Sequence, residues 1–126
     1  MRTRNFGLLH YPVVATGVKR KSGEWALFNF LFDSGADVTM MRAADCEYLG
    51  LDLESGKRME FATAGESSVW AYLHEVMFKY GRFELPVRVA FAEKGVLRMP
   101  LLGRLDITDF FDINLQGRAK RTTFTR

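Results

Sequence analysis

Apolar residues along this chain come in short runs of about four to eight, separated by polar or glycine-bearing stretches, a pattern that suits strands better than long helices. Residues 8–18 read as a strand. It ends at Lys19, Arg20, Lys21, Ser22, Gly23 and Glu24, a polar stretch whose glycine suits a hairpin turn. Residues 25–32 are apolar at every position except Asn29, as expected of a strand covered on both faces, and the run leads straight into Asp33, Ser34, Gly35, Ala36 and Asp37. A strand thus delivers a carboxylate into a turn.

After Val38, Thr39, Met40 and Met41, residues 42–50 combine alanines with a terminal glycine, which predicts a short helix and its stop. Residues 57–62 and 69–79 are two further strands. The small, polar residues 63–68 between them make the pair a long hairpin with a mobile tip. The cleanest alternation is Phe83, Leu85, Val87, Val89 and Phe91, with Glu84, Pro86, Arg88 and Ala90 between them. It marks a half-buried strand, and Pro86 gives that strand a free side. Residues 99–103 form another short apolar strand ending in Gly103, and residues 104–111 can form a helical turn. The fold class expected is mostly β: a small closed β-barrel with one or two short helices.

Composition bounds this picture. At 126 residues the chain has the size of one domain, and 48% hydrophobic residues place it among packed proteins. The single cysteine, Cys46, has no partner within the chain, and no apolar run approaches the roughly 20 residues that span a bilayer. A soluble, cytoplasmic protein with no membrane association is the default expectation. The net charge of +3 is concentrated at the end, where Arg118, Lys120, Arg121 and Arg126 occur with no acid. The division expected is a domain over residues 1–116 and a basic, solvated tail over 117–126, with nucleic acid not expected as a partner of the domain.

A carboxylate at the end of an apolar strand is costly to bury unless partners compensate it. Ser34 can donate a hydroxyl hydrogen bond, Gly35 leaves room for a substrate or another backbone, and Ala36 keeps the turn small. There is also an internal echo: Leu31-Phe32-Asp33 and Leu101-Leu102-Gly103 both place two large apolar residues before a turn and a candidate helix.

Through Leu31-Phe32-Asp33-Ser34-Gly35-Ala36-Asp37 and the later Leu101-Leu102-Gly103-Arg104, the sequence resembles the retropepsin-like aspartic proteases, in the order and separation of both motifs. The resemblance implies a barrel of the retropepsin type, an aspartic endopeptidase activity, and a hairpin flap over the substrate. It implies that Asp33 is the catalytic acid, that Ser34 braces the active-site turn across a subunit boundary, and that Gly35 meets the substrate backbone. Ala36, Asp37 and the hairpin-tip residues Thr63, Ala64 and Gly65 are implied as substrate-binding, and Asp37 as the ion-pair partner of Arg104. Only one such aspartate motif occurs, whereas this mechanism needs two carboxylates, so the resemblance implies a homodimer acting on a peptide or protein substrate. No cofactor or metal is required. A second reading stays open, in which the same barrel is a non-catalytic dimerisation or peptide-binding module, because fold does not fix function.

Other residues read more plainly. Asp33, Gly35 and Asp37 alternate as in a calcium loop, but Ala44 stands at the twelfth position and Gly35 where a ligand is needed. His10 and His74 have no partner at metal spacing and read as strand residues. Cys46 reads as a small buried hydrophobe, and Asp106, Asp109 and Asp112 as solvent-facing acids near a helix start.

Overall fold

The structure is a computed structural model. It describes residues 3–6, 9–62, 68–93, 95–116 and 121–126, with the side chains of these except 3–6, 9–12, 115, 116, 121 and 122. The elements in order are β1 (Thr3–Phe6), β2 (Leu9–Lys19), β3 (Trp25–Phe32), β4 (Thr39–Arg42), α1 (Ala43–Tyr48), a 3₁₀ turn (Leu53–Ser55), β5 (Lys57–Ala62), β6 (Ser68–Tyr80), β7 (Phe83–Ala92), β8 (Leu101–Leu102), β9 (Asp112–Gln116) and β10 (Arg121–Thr125). The first eight strands form one sheet in the order β1-β2-β3-β8-β4-β7-β6-β5. A further pairing of Gly17 with Lys79 and Val18 with Phe78 joins β2 to β6 and closes that sheet into a ring.

The ring closes where it does because Gly17 lets the strands approach. A Cβ at that position would lie 3.2 Å from Lys79 Cβ and 3.6 Å from the Trp25 ring. Inside the ring, Val14, Val18, Phe30, Met41, Phe78, Val87, Val89, Phe91 and Leu102 are fully enclosed. Each such side chain adds about 1.5–3 kcal/mol through burial. Thr16 is a polar member of this interior, and its hydroxyl donates to the Tyr80 Oη at 2.9 Å.

Strand β3 differs from the expectation of cover on both faces. Leu27 is 76% exposed and Asn29 is also exposed, while Ala26, Phe30 and Phe32 point inward. The cross-strand partner of Leu27 is Gly17, which has no side chain to cover it. Strand β7 has the free side that Pro86 suggested: β6 pairs along its length, but β4 joins only from Val89 onward.

Residues 104–111 form helical turns, with Thr108 N donating to Arg104 O at 2.9 Å and Phe111 N to Ile107 O at 2.8 Å, that do not join into a regular helix. Asp106 is the reason. It adopts φ +68°, held there as its carboxylate accepts from Arg88 N at 2.9 Å, Arg88 Nε at 3.0 Å and Arg88 Nη2 at 2.9 Å. Asp106 therefore closes the free edge of β7 and is not the solvent-facing helix acid of the sequence reading. Arg121–Thr125, in the segment expected to be a solvated tail, pairs antiparallel with β9, and Phe124 packs against Phe32, Tyr80 and Phe111.

Candidate active site

Asp33 follows the last residue of β3, and its position is set by the strand beside it. Strand β8 runs parallel to β3 with Leu31 opposite Leu101 and Phe32 opposite Leu102, so the two echoing motifs of the sequence lie side by side in register. Backbone bonds continue that ladder past the end of β3: Leu31 N donates to Pro100 O and Asp33 N to Leu102 O, both at 3.0 Å.

Beyond Asp33 the chain turns at once. Ala36 N donates to Asp33 O at 3.0 Å, and Gly35 N donates to Asp33 Oδ1 at 3.0 Å, which fixes the carboxylate by its own turn. The returning segment is tied to the late motif by Arg104 N donating to Ala36 O at 3.1 Å and Leu105 N to Asp37 O at 2.9 Å. The Arg104 guanidinium donates to the Asp37 carboxylate.

Gly103 crosses directly beneath the turn. It is buried, and its N–H donates to Thr39 Oγ1 at 3.1 Å. Thr39, fully buried on β4, was not singled out by the sequence reading. The available signal was a lone hydroxyl inside the apolar run of residues 38–41.

Asp33, Ser34 and Gly35 are all exposed in the single chain, as is Asp37. The desolvation that the sequence suggested for Asp33 is therefore absent from one copy of the protein, and the Asp37–Arg104 pair, with side chains 89% and 52% exposed, lies in solvent. Thr63, Ala64 and Gly65 lie outside the described residues, so the structure brings together Asp33, Ser34, Gly35, Ala36, Asp37 and Arg104 but gives no geometry for the hairpin tip.

Two hydrophobic groups surround the turn. Phe32, just before Asp33, belongs to the barrel core. Val38, just after it, belongs to a smaller cluster with Ala71 and Ala90, against which Met40, Phe61, Leu73 and Leu105 pack. The turn is thus pinned between the barrel and the β5–β6 hairpin. Cys46, the lone thiol, is buried on the inner side of α1. Burial first, then the nearby Asp52 and Asp45, pushes its pKa up to about 11, so it is a packed thiol and not a nucleophile.

Comparison with known proteins agrees with this geometry. The family described as aspartyl protease matches residues 22–104. Among solved structures, EIAV protease complexed with the inhibitor HBY-793 is 19% identical with a TM-score of 0.61, the match covering 84% of this chain and 93% of that one. The retroviral protease-like domain of Ddi1 from Leishmania major is 15% identical with a TM-score of 0.65, over 92% of this chain and 89% of that one. A retropepsin-like aspartic protease from Rickettsia conorii is 16% identical with a TM-score of 0.60, over 86% and 91%. No curated protein matches the chain in sequence. The likeness at these identities is one of fold, and the fold is that of a retropepsin.

Proposed function

Since the chain belongs to the aspartyl protease family, we propose that it is an aspartic endopeptidase whose active site forms when two copies bring their Asp33 carboxylates together. What carries this reading is the tethering of Asp33 on both sides, by Leu102 O accepting from its N–H and by Gly35 N–H donating to its Oδ1. Such a carboxylate is held in one orientation without being buried by its own chain, as one half of a symmetric site requires.

Two carboxylates across a two-fold axis repel each other when both are charged, so the pair holds one proton between them. The ionised member takes a proton from a water that attacks the scissile carbonyl, and the protonated member donates toward the carbonyl oxygen. Ser34 would brace the paired turns, and Gly35, Ala36 and Asp37 would line the bound peptide together with Thr63, Ala64 and Gly65. Arg104 holds Asp37 in this role. Strands β9 and β10, a two-stranded sheet that pairs with no further strand among the described residues, offer edges for the contact between copies.

The test is cleavage of unstructured peptides by the purified chain at mildly acidic pH, alongside sedimentation. The expected result is cleavage that rises with dimer population and disappears in Asp33→Asn. A strict monomer, or a dimer that binds peptide without cleaving it, overturns the enzymatic reading, and the second outcome identifies a binding module instead.

A further inference from the structure

The β5–β6 hairpin has two chemically different faces. Residues opposite each other across a ladder share a face, so Met59, Phe61, Val69, Ala71 and Leu73 lie on one side and Arg58, Glu60, Trp70 and Tyr72 on the other. The first face is the one that reaches the Asp33 turn: Ala71 clusters with Val38, and Phe61 and Leu73 pack against that cluster, as do Met40 and Leu105.

The second face carries a polar cluster. The Arg58 guanidinium stacks over the Trp70 ring at 4.1 Å from its centroid and donates to Glu93 Oε1 at 3.1 Å. Glu93 N in turn donates to Trp70 O at 3.2 Å. All three side chains keep substantial contact with solvent, and Trp70 is 41% exposed.

The position of this cluster matters more than its strength. Strand β6 is in register with β7 only from Ala71, which lies opposite Ala92; the Glu93 N to Trp70 O bond is the last link between these strands among the described residues, and Ser68 and Val69 pair with β5 alone. Glu93 is the first residue after β7. Arg58 therefore reaches from the outermost strand, across β6, to the point where three strands give way to two. That junction is where the hairpin, whose apolar face packs near the Asp33 turn, leaves the three-stranded part of the sheet.

We infer that Arg58, Trp70 and Glu93 form a clamp at the root of the hairpin and are positioning residues for the site. This rests on the reading above that a peptide lies between the hairpin and Asp33. Each contact is an exposed one, whose loss shifts the balance between clamped and released hairpins by about fivefold at most. The clamp is thus strong enough to bias the hairpin and weak enough to yield to a ligand. It tunes how readily substrate is held, and the chemistry at Asp33 does not depend on it.

The test uses amide hydrogen exchange on the 126-residue chain, which reports the clamp whether or not the protein is an enzyme. Arg58→Ala and Glu93→Gln are each expected to speed exchange in residues 59–62 and 68–70 by about threefold, with β2 and β3 unchanged. The exchanged pair, Arg58→Glu with Glu93→Arg, is expected to restore part of the protection, because the ion pair returns while the stack on Trp70 does not. Unchanged exchange in the hairpin, an equal rise in β2 and β3, or no recovery in the exchanged pair overturns the clamp. With a cleavable peptide, the single variants are expected to raise KM about threefold at nearly constant kcat, and a fall in kcat alone also overturns it. If no variant and not the unaltered chain cleaves any peptide, the endopeptidase reading fails, while the exchange rates still decide the clamp.

Discussion

Gly103 passes so close to Val38 that a Cβ on Gly103 would stand 2.4 Å from the Val38 carbonyl carbon and 2.8 Å from Thr39 N. The obstructing atoms are backbone and cannot rotate away. This contact locks the late motif under the turn that carries Asp33. Gly103→Ala is therefore expected to cost about 3 kcal/mol or more, read as a fall in the denaturant midpoint. A loss below about 1 kcal/mol would show that the crossing is looser than described.

The bond between Thr16 and Tyr80 is enclosed by the core. Burial is the main cause that drives the Tyr80 phenol well above its ordinary pKa, opposed by the bond to Thr16. Tyr80→Phe removes that partner and is expected to destabilise the protein by about 1–2 kcal/mol in chemical denaturation. Thr16→Val in the Tyr80→Phe background replaces both polar groups and is expected to recover part of the loss.

Asp106 gives acid sensitivity. Its hydrogen bonds from Arg88 are the largest cause holding its carboxyl below the ordinary aspartate value of 3.8, against an opposing effect of burial. A carboxyl depressed in the folded state stabilises that state at pH above its unfolded pKa, and the contribution is lost as pH falls through the folded value. Tm is therefore expected to drop below about pH 4 in the unaltered chain, and less steeply in Asp106→Asn. Parallel Tm profiles for the two proteins would remove Asp106 from the account.

The Asp37–Arg104 pair predicts a contrast. Both side chains are exposed in one copy of the chain, so Arg104→Ala is expected to change the stability of the monomer by less than about 1 kcal/mol. Under the proposed function the same substitution weakens peptide cleavage, because Asp37 loses its support. A large loss of monomer stability would mean that the pair braces the fold itself.

Much of the strand layout was readable in the sequence. The extent of β3, the pairing of residues 57–62 with β6 and the alternation along β7 all follow from local apolar patterning and turn residues, which act within about ten residues. The aspartate motif was readable for the same reason, as a strand and its turn are contiguous in the chain. Other features were not. Leu27 looked buried because its neighbours are apolar, but its exposure depends on Gly17 lying opposite. Asp106 looked like a solvent-facing acid because its partner, Arg88, lies 18 residues away. The basic end looked solvated because its charge hides Phe124, whose aromatic neighbours lie far back in the chain.

The sequence alone thus determined that a strand ends in Asp33, that a tight turn follows, and that a second apolar pair ends in Gly103, all properties of contiguous residues. Only the tertiary structure decided that β8 lies parallel to β3, so that Leu102 holds the Asp33 backbone, and that Gly103 has no room for a side chain beneath Val38. The pairing of Arg58 with Trp70 and Glu93 was equally beyond the sequence. The physical reason is the same in each case: the partners are brought together by closure of the barrel, which depends on register and packing summed over the whole ring rather than on any one segment.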